Sequence, residues 1–94
     1  EKKDIYQISE SLDKVLELRP TEFTWKETDK KDVGFIAQEV EKIIPEVIET
    51  SRGFINTDDS KERKTIAYPK LVPYLVDTIQ QLTKRIEELE KKVK

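Results

Sequence analysis

The chain contains neither cysteine nor histidine. Without cysteine there is no disulfide staple and no thiolate metal site. Without histidine, a Ser-His-Asp triad, a Cys-His dyad and a histidine-ligated metal are excluded within the chain. No metal and no other cofactor is expected, and any chemistry falls to Ser, Thr, Lys, Tyr or carboxylates. Methionine is also absent, even at the first position, so Glu1 reads as the start of a piece of something longer. No apolar run approaches the roughly 18 residues of a membrane helix and the first residues lack a signal-peptide pattern, so no membrane partner is expected.

Apolar residues are scarce. Of 94 residues, 35% are hydrophobic and 40% charged, which leaves material for one small domain with a modest core. At that ratio a compact monomer is marginal, and oligomerisation is the usual remedy. The net charge of −2, from 18 basic and 20 acidic residues, calls for no anionic partner. The basic cluster Lys61-Glu62-Arg63-Lys64 is interrupted by acid and has no aromatic platform beside it, which argues against nucleic acid.

The densest apolar stretch is residues 33–47. Ile36, Val40, Ile43, Ile44 and Val47 recur at helical spacing, with Gln38, Glu39, Glu41 and Lys42 on the opposite face. The spacing predicts a helix over residues 37–44, stopped by Pro45, with Ile36, Val40, Ile43 and Ile44 as core. Solvation is the expected state of Gln38, Glu39 and Glu41. Upstream, a helix is expected over residues 9–18, capped by Ser9 or Ser11 and ended by Arg19-Pro20. Thr21-Glu22-Phe23-Thr24-Trp25 alternates as a half-buried strand does, with Phe23 and Trp25 on one side. A charged loop over 26–32, an antiparallel strand over 33–36 and a third strand over 47–50 follow. Residues 51–64 read as a long solvated hairpin excursion, with pairing resuming over 64–68.

From Tyr68 the period changes. Tyr68, Val72, Leu75, Ile79, Leu82, Ile86, Leu89 and Val93 alternate at spacings of three and four, a heptad seam. Val72, Ile79, Ile86 and Val93 take a; Leu75, Leu82 and Leu89 take d; Arg85 at g and Glu90 at e suit a parallel pair. Glu87 with Lys91 and Glu88 with Lys92 add helix-stabilising pairs. Leu71 and Val76 broaden the apolar face before Ile79, so that part is expected to pack back on the domain. Beyond Leu82 the face narrows to a and d alone and requires identical partners. β-Branched a with leucine d favours two strands, so the register alone points to a parallel dimer. Pro69 and Pro73 both stand near the start of this helix, and either can occupy its first turn.

The motifs in order are Asp13-Lys14-Val15-Leu16-Glu17-Leu18-Arg19-Pro20, Phe23-Thr24-Trp25-Lys26, Gly34-Phe35-Ile36-Ala37-Gln38-Glu39-Val40-Glu41, Pro45-Glu46-Val47 and Lys64-Thr65-Ile66-Ala67-Tyr68 before a terminal coil. In this the chain resembles the C-terminal intramolecular chaperone domain of phage endosialidases, tailspikes and tail fibres, a relative of which occurs in membrane-anchored myelin regulatory transcription factors. The resemblance runs from Lys2 to Lys94. It implies a homotrimer that helps an N-terminal fibre or spike domain of the same polypeptide to trimerise and fold, then cuts itself off. It also replaces the dimer with a parallel trimeric coiled coil whose interface is Val72, Leu75, Ile79, Leu82, Ile86, Leu89 and Val93.

In that family a serine just after the scissile bond is the nucleophile and a lysine five residues later is the base. Lys2-Lys3-Asp4-Ile5 matches the end of the motif, so the resemblance puts Lys2 in the base's place. The serine and its aspartate would lie before Glu1, and neither Ser9 nor Ser11 stands on the correct side of the lysine. The chain as given is therefore expected not to cleave, with Lys2 a solvated lysine. An ammonium acts as base near neutrality only when desolvation or nearby cations bring its pKa down from about 10.4.

The expected architecture is α+β: a small head of two short helices and a few antiparallel strands over 1–68, and a long coiled-coil helix over 69–94. The resemblance places it in the host cytoplasm during virion assembly, cleaved from the mature fibre. The alternative is a non-cleaving coiled-coil homo-oligomerisation or adaptor module.

Overall fold

The computed structural model describes residues 1–52 and 62–93. The chain opens as an extended strap over residues 1–10, without regular structure. Helix α1 (Ser11–Glu17) follows, then strands β1 (Thr21–Thr24) and β2 (Lys31–Gly34), and helix α2 (Ala37–Ile43). A 3₁₀ turn (Pro45–Val47), strands β3 (Ile48–Arg52) and β4 (Glu62–Ile66), a second 3₁₀ turn (Tyr68–Lys70) and helix α3 (Leu71–Val93) complete it. The class is α+β, with short helices, antiparallel strands and one long C-terminal helix.

α1 is shorter than the periodicity predicts, and neither serine caps it. Its N-cap is Glu10, held in the left-handed region at φ 63° with no side-chain cap. Ser11 is instead the first helical residue and is fully buried. Ile5 and Ile8, which keep the helical period, lie in the strap. Leu18 leaves the helical region one residue before Arg19-Pro20.

β1 and β2 pair antiparallel, Thr21 opposite Gly34 and Thr24 opposite Lys31. β2 starts two residues earlier than expected because the loop closes tightly. The Trp25 N–H donates to the Lys30 carbonyl at 2.9 Å and the Asp29 N–H to the Trp25 carbonyl at 2.8 Å. Asp29 takes the left-handed conformation at φ 59°. Phe23 and Trp25 do share a side, stacked edge to face at 5.1 Å.

β3 and β4 pair antiparallel from Ile48 with Ile66 to Arg52 with Glu62. Residues 51, 52, 62 and 63, expected in the loop, are therefore in the ladder, and Val47 belongs to the preceding turn. The rest of the expected excursion, 53–61, lies outside the described residues.

The core centres on α2. Val40, Ile44, Val47 and Leu71 are buried together, with Leu18, Phe35, Ile43, Ile48, Ile66 and Tyr74 packed around them. Ile36 departs from expectation. It is the N-cap of α2, and at that turn its side chain is 36% exposed.

Gly34 and Tyr68 are joined by a close approach. The Phe35 N–H donates to the Tyr68 hydroxyl at 3.2 Å, and the two rings lie 6.3 Å apart. A Cβ on Gly34 would stand 2.8 Å from that hydroxyl. Glycine is needed there for lack of room, not for an unusual backbone angle.

The proline ambiguity is resolved by two separate starts. Pro69 lies in the 3₁₀ turn. Pro73 is the third residue of α3, where an N–H would have no intrahelical partner anyway. The 23 residues of α3 span about 34 Å. The Cα radius of gyration is 18.1 Å, against about 12 Å for a compact domain of this size. The difference arises because α3 projects from the head.

Candidate functional site

α3 has three distinct faces. Leu71 (g), Asp77 (f) and Thr78 (g) are buried and Tyr74 (c) is half-buried, and this side carries the head, with α1 packed along it. The strap lies beside Val76 (e), Pro73 (b) and Gln80 (b). The third face is the seam. Val72, Leu75, Ile79, Leu82, Ile86, Leu89 and Val93 are all exposed, from 42% to 86%.

The expectation that the first part of the seam packs back on the domain is thus corrected. The return contact is made by Leu71 and Tyr74, on a different side, and Val72, Leu75, Val76 and Ile79 stay 43% to 63% exposed. Residues 82–93 are exposed at every position. An amphipathic helical segment of that length is marginal alone in water, and its apolar stripe is uncovered in the single chain.

Polar groups on the head side of α3 are handled unequally. The Thr78 hydroxyl donates to the Tyr74 carbonyl at 2.8 Å, and the Gln81 amide donates to the Asp77 carboxylate at 2.6 Å. The Ser11 hydroxyl, buried at the start of α1, has no hydrogen-bond partner among the described residues. Tyr74 donates to Glu46 at 3.4 Å; burial first, then the Glu46 charge, raises its pKa above the ordinary phenol value.

Two ion pairs tie α2 to the rest of the head. The Arg19 guanidinium grips Glu39 at both oxygens, at 2.6 and 3.1 Å, and the Lys64 ammonium meets Glu41 at 2.5 Å. Glu39 and Glu41 are therefore clamps, not merely solvated charges. The sequence signal was present in Leu-Arg-Pro and in Gln-Glu-Val, but twenty residues separate Arg19 from Glu39 and no local periodicity links them.

The Arg19 hydrogen bond, ahead of its charge and that of Lys42, holds the Glu39 carboxyl below the usual carboxylate range. A depressed carboxyl stabilises the fold above its unfolded pKa of about 4.3 and loses that contribution as pH falls through the folded value. Arg19→Ala is expected to lower the melting temperature slightly at pH 7, the pair being solvent-exposed. Melts followed by circular dichroism should converge with those of the parent chain once the pH has fallen below the depressed folded value of Glu39.

Lys2 is exposed, in the irregular strap that precedes α1. Compared with known protein families, residues 1–49 match the one described as chaperone of endosialidase. The chain belongs to that family. No curated protein matches it. The matched residues cover the strap, α1, the first hairpin and α2, and stop at the beginning of β3. Arg19, Glu39 and Gly34 fall inside them; Tyr68 and the seam lie beyond. As a chaperone-of-endosialidase domain it has an intramolecular chaperone role, exerted on sequence attached to it. Its described residues contain no helix long and apolar enough to cross a membrane.

Proposed function

We propose that this chaperone domain assembles as a parallel homotrimer through Val72, Leu75, Ile79, Leu82, Ile86, Leu89 and Val93. Assembly holds the upstream fibre or spike segments of three polypeptides side by side while they fold. The observation that carries this reading is the uninterrupted exposed seam, turned away from the head along the whole of α3. The a and d residues alone favour two strands; three strands are proposed on the resemblance to the family. The globular heads can impose that symmetry. Linking three copies at one end raises the local concentration of whatever is attached to them.

The longer polypeptide then cleaves itself in the host cytoplasm during virion assembly. A serine upstream of Glu1 attacks the carbonyl of the residue before it while Lys2 takes the hydroxyl proton and returns it to the serine's departing amide nitrogen. The C–N bond breaks as the ester forms, and water hydrolyses that ester to separate the two chains. The exposed position of Lys2 leaves it reachable by a preceding segment. Expression of the longer chain, with a serine-aspartate pair three to five residues upstream of Lys2, should give two bands. Its serine-to-alanine variant should give one. An uncut wild-type chain overturns the peptidase reading and leaves the homo-oligomerisation module.

A further inference from the structure

The strap is the least secured element of the head. Ile5 is 78% exposed and Tyr6 83%, and of residues 1–10 only Ile8 is half-buried. Among the described residues no hydrogen bond ties residues 1–9 to α3. Two open spaces, of about 440 and 390 Å³, lie between the strap and the helix, with Gln7, Ile8, Asp77 and Gln80 on the walls of both.

The junction with α1 carries three costs at once. Glu10 is held left-handed at φ 63°, where the Cβ of an L-residue crowds the carbonyl that follows. No side chain caps the helix that Glu10 opens, so its first N–H groups lack that partner. The Ser11 hydroxyl is fully buried without a hydrogen-bond partner, a state that contact with water relieves. Asp4, at φ 56°, is a second left-handed residue and bounds residues 5–9 at their other end.

We infer that the strap is a hinged element: residues 5–9 swing off α3 about Glu10 and Ser11 while the head keeps its fold. Lifting frees Glu10 from its left-handed angles and admits water to the Ser11 hydroxyl. Against that stands the burial of one side chain, Ile8, beside unfilled space. The buried cluster of the head, Val40, Ile44, Val47 and Leu71, includes no strap residue, so the movement uncovers none of it. Leu12, 2% exposed in the helix that packs along α3, marks where the movement stops. A segment so lightly held opens far more readily than a whole domain. The hinge stands on the strap's own geometry, and only its use rests on the proposed function. There it gives an upstream segment two positions, laid along α3 or free to move, at no cost to the core.

Chymotrypsin cutting after Tyr6, followed by mass, reads the lifted state, because cleavage of a transiently opened segment tracks its open population. Ser11→Ala removes the orphaned hydroxyl and is expected to slow the cut at least about fivefold. Glu10→Val puts a β-branched residue where left-handed angles are closed to it, and is expected to speed the cut about tenfold or more. The melting temperature of Glu10→Val by circular dichroism should stay within about 3 °C of the parent chain's, since the head loses no more than the little that holds the strap. A cutting rate that either substitution leaves unchanged, or moves the other way, overturns the inference. So does a Glu10→Val chain that melts lower than this, since strap and head then open as one unit. These rates are read without reference to the assembled mass, so a single-chain result in sedimentation removes the seam and not the hinge.

Discussion

Leu82→Asp is expected to reduce the sedimenting species to a single chain of 11.1 kDa. Leu82 lies at a d position in the middle of the seam and is 42% exposed in the isolated chain. In a coiled coil it enters a hole formed by four residues of the facing helix. An aspartate there puts a carboxylate from every copy into one layer, with no cation to meet them. Leaving a charge buried and uncompensated costs about 3–5 kcal/mol, which weakens association by two to four orders of magnitude at about 1.4 kcal/mol per decade. The head should be unaffected, because Leu82 touches none of its core. A Leu82→Asp chain at the full assembled mass removes the seam from the interface.

Ile44→Ala should do the reverse. Ile44 has no exposed surface and stands among Val40, Val47 and Leu71, where α2 meets the start of α3. Truncation removes transfer energy and leaves a cavity that close-packed neighbours only partly close. The cost of such changes is about 2–5 kcal/mol. That is a large share of the 5–15 kcal/mol typical of a domain. The melting temperature is expected to fall by at least about 8 °C. The oligomeric mass at low temperature should be retained, since the seam lies on another face of α3. Loss of assembly with an unchanged melting temperature contradicts this division between core and seam.

The two variants separate what was legible in the sequence from what was not. α2 and the coil helix stand out because their apolar residues keep a 3.6- or 3.5-residue period over several turns, and Pro45 fixes one boundary. Val40 and Ile44 follow directly from that pattern. Ile36 keeps the same period but does not share the burial: as the N-cap it has extended, not helical, backbone angles, so the helical spacing does not carry through it. The strap shows the same failure at larger scale. Ile5 and Ile8 mimic a continuation of α1, yet Glu10 in the left-handed region breaks the helix before them, and nothing in a glutamate signals that conformation.

Long-range pairings were hidden for a different reason. Arg19 with Glu39, Lys64 with Glu41 and Gly34 with Tyr68 each join positions 20 to 34 residues apart. One sequence contains no record of such proximity. The identity of the seam could be read; the side from which the head approaches it could not. That side is set by Leu71 and Tyr74, two residues at flanking positions, which the seam pattern treats as marginal.

The course of the strap would give the proposed assembly a polarity. Tyr6 lies at the level of Val72 and Val76, and Ser9 at the level of Gln81 and Lys84, so the strap runs in the same direction as α3. Whatever precedes Tyr6 therefore approaches from the end of α3 where the helix begins. In a parallel bundle every copy receives its upstream strand at that same end and in the same orientation. In the proposed assembly those strands would start together and in step, their register set by the direction in which the four strap residues from Tyr6 to Ser9 are laid down.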